Sequence, residues 1–120
     1  MCETAMNKHF RLAANEIVEI APGYGGCFAT DRITVEGHKV GYMYRERPDN
    51  EIDGGWRFMA GDEPQEYMDD PDNLAIYDVN TIANYDPDIV PFLDAPCGSA
   101  FARQGGTGPF QAIPFEPLMD

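Results

Sequence analysis

The chain has 120 residues, of which 43% are hydrophobic, and its formal net charge at pH 7 is −13. A chain of this length and composition is expected to fold as one globular domain, so residues 1–120 are treated as a single domain. The deficit of Lys and Arg argues against binding to nucleic acid or to an anionic membrane surface, because both depend on basic side chains. Without an apolar run long enough to span a membrane or a signal-like N-terminus, the protein is expected in the cytoplasm.

The first predicted elements lie in the N-terminal part of the chain. Alternation of Phe10 and Leu12 predicts a short strand, and Asn15 is the predicted cap of a helix that ends at Pro22 and Gly23. Together they predict a strand followed by a helix at the start of the domain.

A hairpin and a third strand are predicted next. Two β-rich runs flank the loop VEGHK, residues 35–39, and Tyr42 and Tyr44 alternate with other residues in the second run as in a half-buried strand. The turn PDNEIDGG, residues 48–55, precedes GWRFMAG, in which Trp56 and Phe58 share one face and Arg57 points to the other.

Short elements follow along the rest of the chain. EPQEYM predicts a helical turn and LAIYDV, residues 74–79, a strand; Asn80 and Asp86 are predicted helix caps, and Pro87 opens the second of these helices. GSAFARQ and FQAIPF predict two strands around the turn GGTG, residues 105–108. The fold class is therefore predicted to be α+β, with a mostly antiparallel sheet and a few short helices.

The negative charge is concentrated in the middle of the chain. Residues 61–90 hold nine carboxylates and no Lys or Arg, whereas residues 1–57 hold nine acidic and seven basic side chains. A block of this kind either attracts a basic partner or forms a solvated face, because net charge affects both association and solubility.

No catalytic or cofactor-binding constellation is complete. Cys2, Cys27 and Cys97 form no CxxC, and His9 and His38 do not stand at zinc-ligand spacing from them, which favours reduced thiols without a metal. The sequence around Cys97 contains only part of a papain-type nucleophile context. We therefore expect a protein that is not an enzyme and carries no cofactor.

Calcium is the main alternative for the acidic block. DDPDN, residues 69–73, offers closely spaced oxygen ligands, but it lacks the glycine and the distal glutamate of a calcium loop. Turn capping around Pro71 is the favoured interpretation, and a small metal-binding protein is kept as the alternative.

Four runs, GYMYRE, GWRFMAGDE, YMDDP and IYDVNTIANYDP, with DRITVEG upstream, closely resemble a bacterial domain family described as immunity protein thirty-three-like. The resemblance covers about residues 24–104, and residues 105–120 are expected to be specific to this chain. It implies that some relatives protect the producing cell by binding a toxin, and it transfers no catalytic residue.

The resemblance and the charge together predict a non-enzymatic immunity-type protein with an acidic surface for a basic toxin, for instance a nuclease. A housekeeping binding or regulatory module of unknown ligand is the other alternative. The predicted partner-binding residues are acidic or aromatic and belong to the acidic block: Asp62, Glu63, Glu66, Tyr67, Asp69, Asp70, Asp72 and Tyr77.

Overall fold

The computed structural model describes residues 10–48, 51–103 and 108–114. The strands of this part of the chain are β1 (Gly26–Thr30), β2 (Tyr42–Arg45), β3 (Asp53–Met59), β4 (Leu74–Asp78), β5 (Ala100–Ala102) and β6 (Gln111–Ile113). Its helices are α1 (Asp31–Thr34), α2 (Gln65–Met68) and α3 (Val79–Tyr85), with 3-10 helices at Ala14–Glu16, Pro71–Asn73 and Pro87–Phe92.

The strands form one sheet with the order β4-β1-β3-β2-β5-β6. The β1–β3 pair is parallel, and the other four neighbouring pairs are antiparallel. The predicted α+β class with a mostly antiparallel sheet is confirmed. No helix in the described ranges is long and apolar enough to cross a membrane.

The main core lies on one face of the sheet, here called the inner face. Strand register places Cys27 beside Trp56, and Met43 beside Phe58, on this face. α3 and the 3-10 helix Pro87–Phe92 cover it with buried apolar side chains, which include Ile82. The opposite face, here called the outer face, carries Arg57, so the predicted division of β3 between Trp56, Phe58 and Arg57 is confirmed.

The predicted hairpin is wrong. After β1 the chain enters α1, and β3 lies between β1 and β2 in the sheet. β1 is buried along almost its whole length, so the backbone N–H and C=O groups on both of its edges need partners, which β3 and β4 provide. Alternation in the sequence identifies a strand but not its partner, and β2 pairs with β3 across residues 46–52 instead.

The predicted N-terminal strand and helix are also wrong. Residues 10–21 contain only the 3-10 helix Ala14–Glu16. Asn80 and Asn84 of α3 bind this segment through its backbone: the Asn80 side-chain oxygen accepts from the Ala21 amide at 2.8 Å, and that of Asn84 accepts from the Val18 amide at 3.0 Å. Side chains distant in sequence therefore satisfy the backbone groups that a local helix would have paired.

Asn80 is not a helix cap, because α3 already begins at Val79. Asp78 is the cap, and its side chain accepts a hydrogen bond from the Asn80 amide. Asp86 does cap the 3-10 helix Pro87–Phe92, with Pro87 in its first turn, as predicted. The helical turn at α2, the strand β4 and the antiparallel pair β5–β6 are confirmed. Most of the predicted GGTG turn, and the tail beyond residue 114, lie outside the described residues.

Candidate functional site

The acidic segment, defined as residues 61–73, connects β3 to the edge strand β4 and contains α2 and the 3-10 helix Pro71–Asn73. It brings together seven of the eight predicted partner-binding residues, which are Asp62, Glu63, Glu66, Tyr67, Asp69, Asp70 and Asp72. Their side chains nevertheless differ in what they contact, and this divides them into internal and solvent-facing groups.

Glu63 is an internal anchor of the segment. Its Oε2 accepts hydrogen bonds from the Thr30 hydroxyl at 2.5 Å and from the Ala60 amide at 2.8 Å. Its Oε1 accepts from the Gly61 amide at 2.9 Å. Oε2 therefore holds the segment to the end of β1 and to the residue after β3, while Oε1 fixes the first turn of the segment, and little of the group is left for a partner.

Asp62 and Tyr67 flank Arg32 of α1. Asp62 Oδ1 lies 3.4 Å from Arg32 Nε, and the guanidinium lies 5.1 Å from the centre of the Tyr67 ring. Burial, reinforced by Asp31 and Glu36, raises the pKa of Tyr67 to about 12. Arg32 thus offsets part of the negative charge at the start of the segment.

Asp69, Asp70 and Asp72 are exposed. Asp70 Oδ1 accepts from the Asp72 amide at 2.9 Å, which confirms turn capping around Pro71. Asp69 Oδ1 accepts from Gln65 Nε2 at 2.8 Å on the surface of α2. With exposed Glu66, these residues give the segment a solvent-facing row of carboxylates.

Tyr77 does not join the other predicted residues. It lies on the inner face of β4, where its hydroxyl is 3.1 Å from Thr34 Oγ1 and its ring packs edge-on against Phe10 with centroids 6.1 Å apart. These contacts assign Tyr77 to the packing of the inner face rather than to the surface of the acidic segment.

The titratable groups form no metal centre: within the described residues, no three His, Cys, Asp or Glu side chains are placed to hold a metal ion. Cys27 is buried on the inner face, and burial raises the pKa of its thiol strongly, which makes it a poor nucleophile. Cys97 is exposed, and His38 Nε2 lies 3.5 Å from Glu36 Oε1.

The outer face contains a cavity that the sequence did not predict. It has a volume of about 220 Å³, and its walls include Phe28, Tyr44, Arg57, Met68 and Leu74. The signal that could have revealed it is the register of β1 on β3, which places Phe28 beside Arg57 and depends on a parallel pairing that alternation does not predict.

Comparison with protein families identifies the chain. The sequence model described as the immunity protein Imm33 domain matches residues 27–114. The chain belongs to this Imm33 family. The match runs from β1 to β6, so the family domain contains the whole sheet and the acidic segment, and the resemblance to the immunity protein thirty-three-like family is confirmed. Comparisons with curated proteins and with solved structures give no match.

In this Imm33 domain the acidic segment is thus a surface connection between the centre and the edge of the sheet. Internal hydrogen bonds of Glu63 and Asp70 fix its backbone, while Glu66, Asp69 and Asp72 face solvent. Such an arrangement can present fixed negative charge to a binding partner.

Proposed function

We propose that this Imm33 domain is a non-enzymatic immunity protein that acts in the cytoplasm of the producing cell by binding a cognate toxin. The observation that carries the proposal is the match of the immunity protein domain to residues 27–114. Neutralisation by occupying the toxin requires a binding surface and no catalytic group.

The charge distribution supports a basic partner. The net charge is −13, and residues 58–102 contain ten acidic side chains and no Lys or Arg. A cluster of like charge accelerates encounter with an oppositely charged protein, toward about 10⁸ M⁻¹s⁻¹ or more at low salt. A nuclease fits this description, because the cleft that binds its phosphates is basic.

Within the acidic segment, we assign the electrostatic contacts mainly to Glu66, Asp69 and Asp72. Their side chains are exposed, and the carboxylates of Glu66 and Asp72 are not used as caps or loop anchors. Asp62, Tyr67 and Asp70 are assigned a smaller share of the contacts because they also contact Arg32 or cap a helix. Glu63 and Tyr77 would not contact the partner; they hold the acidic segment and β4 in place.

The proposal is tested by capture followed by a toxicity assay. The purified domain is immobilised, basic proteins are recovered from a lysate of the native host, and each is expressed in a heterologous bacterium with and without this chain. We expect one of them to arrest growth and co-expression of the chain to restore it. Recovery only of proteins that are harmless, or whose toxicity the chain does not relieve, would reject the proposal in favour of a housekeeping binding module.

A further inference from the structure

The outer face of the sheet carries a row of large side chains that crosses four strands. Strand register places Ile76 of β4 beside Phe28 of β1, Phe28 beside Arg57 of β3, and Arg57 beside Tyr44 of β2. Ile76 is 70% exposed, and Phe28 and Tyr44 are half-buried. The row therefore presents apolar and aromatic surface to solvent on the side of the sheet opposite the main core.

Arg57 lies at the base of this surface, and its positive charge is compensated by ion pairs with two carboxylates. Its side chain is 6% exposed, and its guanidinium binds Asp53 at 2.9 Å and Glu46 at 2.6 Å. It also lies 4.7 Å from the centre of the Phe28 ring. Because two carboxylates surround one guanidinium, the base of the surface has a net negative charge and would not repel a cation.

The acidic segment contributes Met68 to the wall of the cavity. Met68 at the end of α2 and Leu74 at the start of β4 line the cavity together with Phe28 and Tyr44. The exposed carboxylates of Glu66 and Asp69 are carried by the same short helix and its end. Glu46 lines the cavity itself. An apolar centre with an acidic residue in its wall and an acidic helix next to it has the anatomy of a protein-binding site, in which a desolvated centre supplies affinity and surrounding charges supply rate and specificity.

The size of the cavity indicates what it receives. Its volume of about 220 Å³ is below the roughly 300–1,000 Å³ of sites that hold small molecules. A single apolar side chain of a protein partner is a better match than a cofactor. A second copy of this chain is a poor occupant, since a symmetric contact would bring two acidic segments together.

We propose that the outer face, with the cavity lined by Phe28 and Tyr44 and the acidic segment beside it, is the surface that docks the toxin. This inference rests on the proposed function and specifies the partner's side of the contact. The toxin presents an aliphatic or aromatic anchor flanked by Lys or Arg, the anchor enters the cavity, and the flanking bases meet Glu46, Glu66 and Asp69.

The test compares matched pairs of serine substitutions that leave the charge unchanged. Ile76→Ser with Met68→Ser removes apolar surface from the outer face. Val18→Ser with Ile20→Ser removes exposed apolar surface from the segment bound to α3. Circular dichroism and melting temperature establish that each variant is folded. If the double variant does not fold, Ile76→Ser alone is tested, because the Ile76 side chain is already exposed and its replacement leaves the core intact.

The measured quantities are the dissociation constant for the toxin obtained by capture and the rescue of growth. We expect the outer-face variant to bind at least about ten-fold more weakly and to lose rescue, while the control binds like the wild type. Equal binding by both variants would overturn the docking surface and leave the proposed function intact. Failure of the wild type itself to neutralise any captured protein would overturn both.

A defined probe tests the chemistry of the surface without the toxin. The peptides KRKWKRK and KRKSKRK carry equal charge and differ in one aromatic anchor, and methyl NMR spectra report where each binds. We expect the Trp peptide to shift the resonances of Ile76 and Met68 more than the Ser peptide does. Identical shifts with both peptides would show attraction without an anchor site and would contradict the inference.

Discussion

At the scale of single residues, the carboxylates of the acidic segment have two different roles. Glu63 accepts three hydrogen bonds from β1 and from the two residues that follow β3, whereas Glu66, three residues later, is exposed on α2. Both residues were predicted to contact a partner, because spacing alone does not reveal which carboxylate folds back onto the backbone.

This difference predicts unequal effects on stability. Glu63→Gln replaces one acceptor oxygen with an amide that faces N–H or O–H donors, so we expect it to lower the free energy of unfolding by about 1–3 kcal/mol. Glu66→Gln should change it by less than about 0.5 kcal/mol. Urea denaturation of both variants measures the difference, and equal stabilities would refute the anchoring role of Glu63.

The tyrosines of the outer face and the acidic segment predict a dependence on alkaline pH. Burial, followed by the charge of Glu46, raises the pKa of Tyr44 to about 12, and the pKa of Tyr67 is also raised to about 12. The unfolded chain releases these protons near pH 10, so ionisation favours the unfolded state between pH 10 and 12.

We therefore expect the free energy of unfolding to be unaffected by these two groups below pH 10 and to fall as the pH rises toward 12. Tyr44→Phe should lessen that fall, and absorbance at 295 nm should show the phenolate of Tyr44 only at the upper end of this range. Titration of Tyr44 at an ordinary pH near 10 would contradict the burial of its hydroxyl.

At the scale of elements, the close approach of β2 and β3 depends on a glycine. Gly55 has φ +91°, and a Cβ added to it would lie 2.4 Å from the Glu46 carbonyl oxygen. Gly98 has a similar φ of +93°, but nothing lies within 4 Å of the added Cβ. The two positions separate the cost of backbone conformation from the cost of a steric clash.

Gly98→Ala should destabilise the protein by about 1–2 kcal/mol through its left-handed backbone alone. Gly55→Ala should cost about 1–3 kcal/mol more, because the methyl group pushes Glu46 and β2 away from β3. Thermal and urea unfolding of both variants provide the comparison. Equal losses of unfolding free energy in the two variants would indicate that β2 can move away from β3 at no cost in stability.

The elements also show what the sequence could predict. β3, β4, α2 and the β5–β6 pair were predictable, because alternation, Pro positions and turn residues act locally. The parallel β1–β3 pair was not, because it joins residues far apart in the chain. The N-terminal segment was mispredicted for a related reason, since Asn80 and Asn84 determine its conformation from about sixty residues away.

At the scale of the whole molecule, the sheet separates the packed core from the proposed docking surface. Helices cover the inner face, while the outer face combines half-buried aromatic side chains with Met68 of the acidic segment. The sequence identified the segment through its charge, because seven of the eight predicted partner-binding residues are close together in the chain; their contact with a partner stays a prediction. It could not assign Tyr77 to the inner face, because that depends on the pairing of β4 with β1.

Reversing one charge at two different places distinguishes attraction of the partner by the acidic segment from attraction by the net charge of the molecule. Glu66→Lys and Glu19→Lys change the net charge equally, but Glu66 belongs to the acidic segment, whereas Glu19 lies in the N-terminal segment held by α3. If the acidic segment steers the partner, the two substitutions should differ in their effect on the association rate, and the difference should diminish as salt screens the charges.

The decisive measurement is the association rate constant of the captured toxin with the wild type, Glu66→Lys and Glu19→Lys at low and high ionic strength. We expect Glu66→Lys to slow association several-fold at low salt, Glu19→Lys to have a much smaller effect, and all three rates to converge at high salt. Equal slowing by both substitutions, or none by either, would contradict toxin binding through the acidic segment.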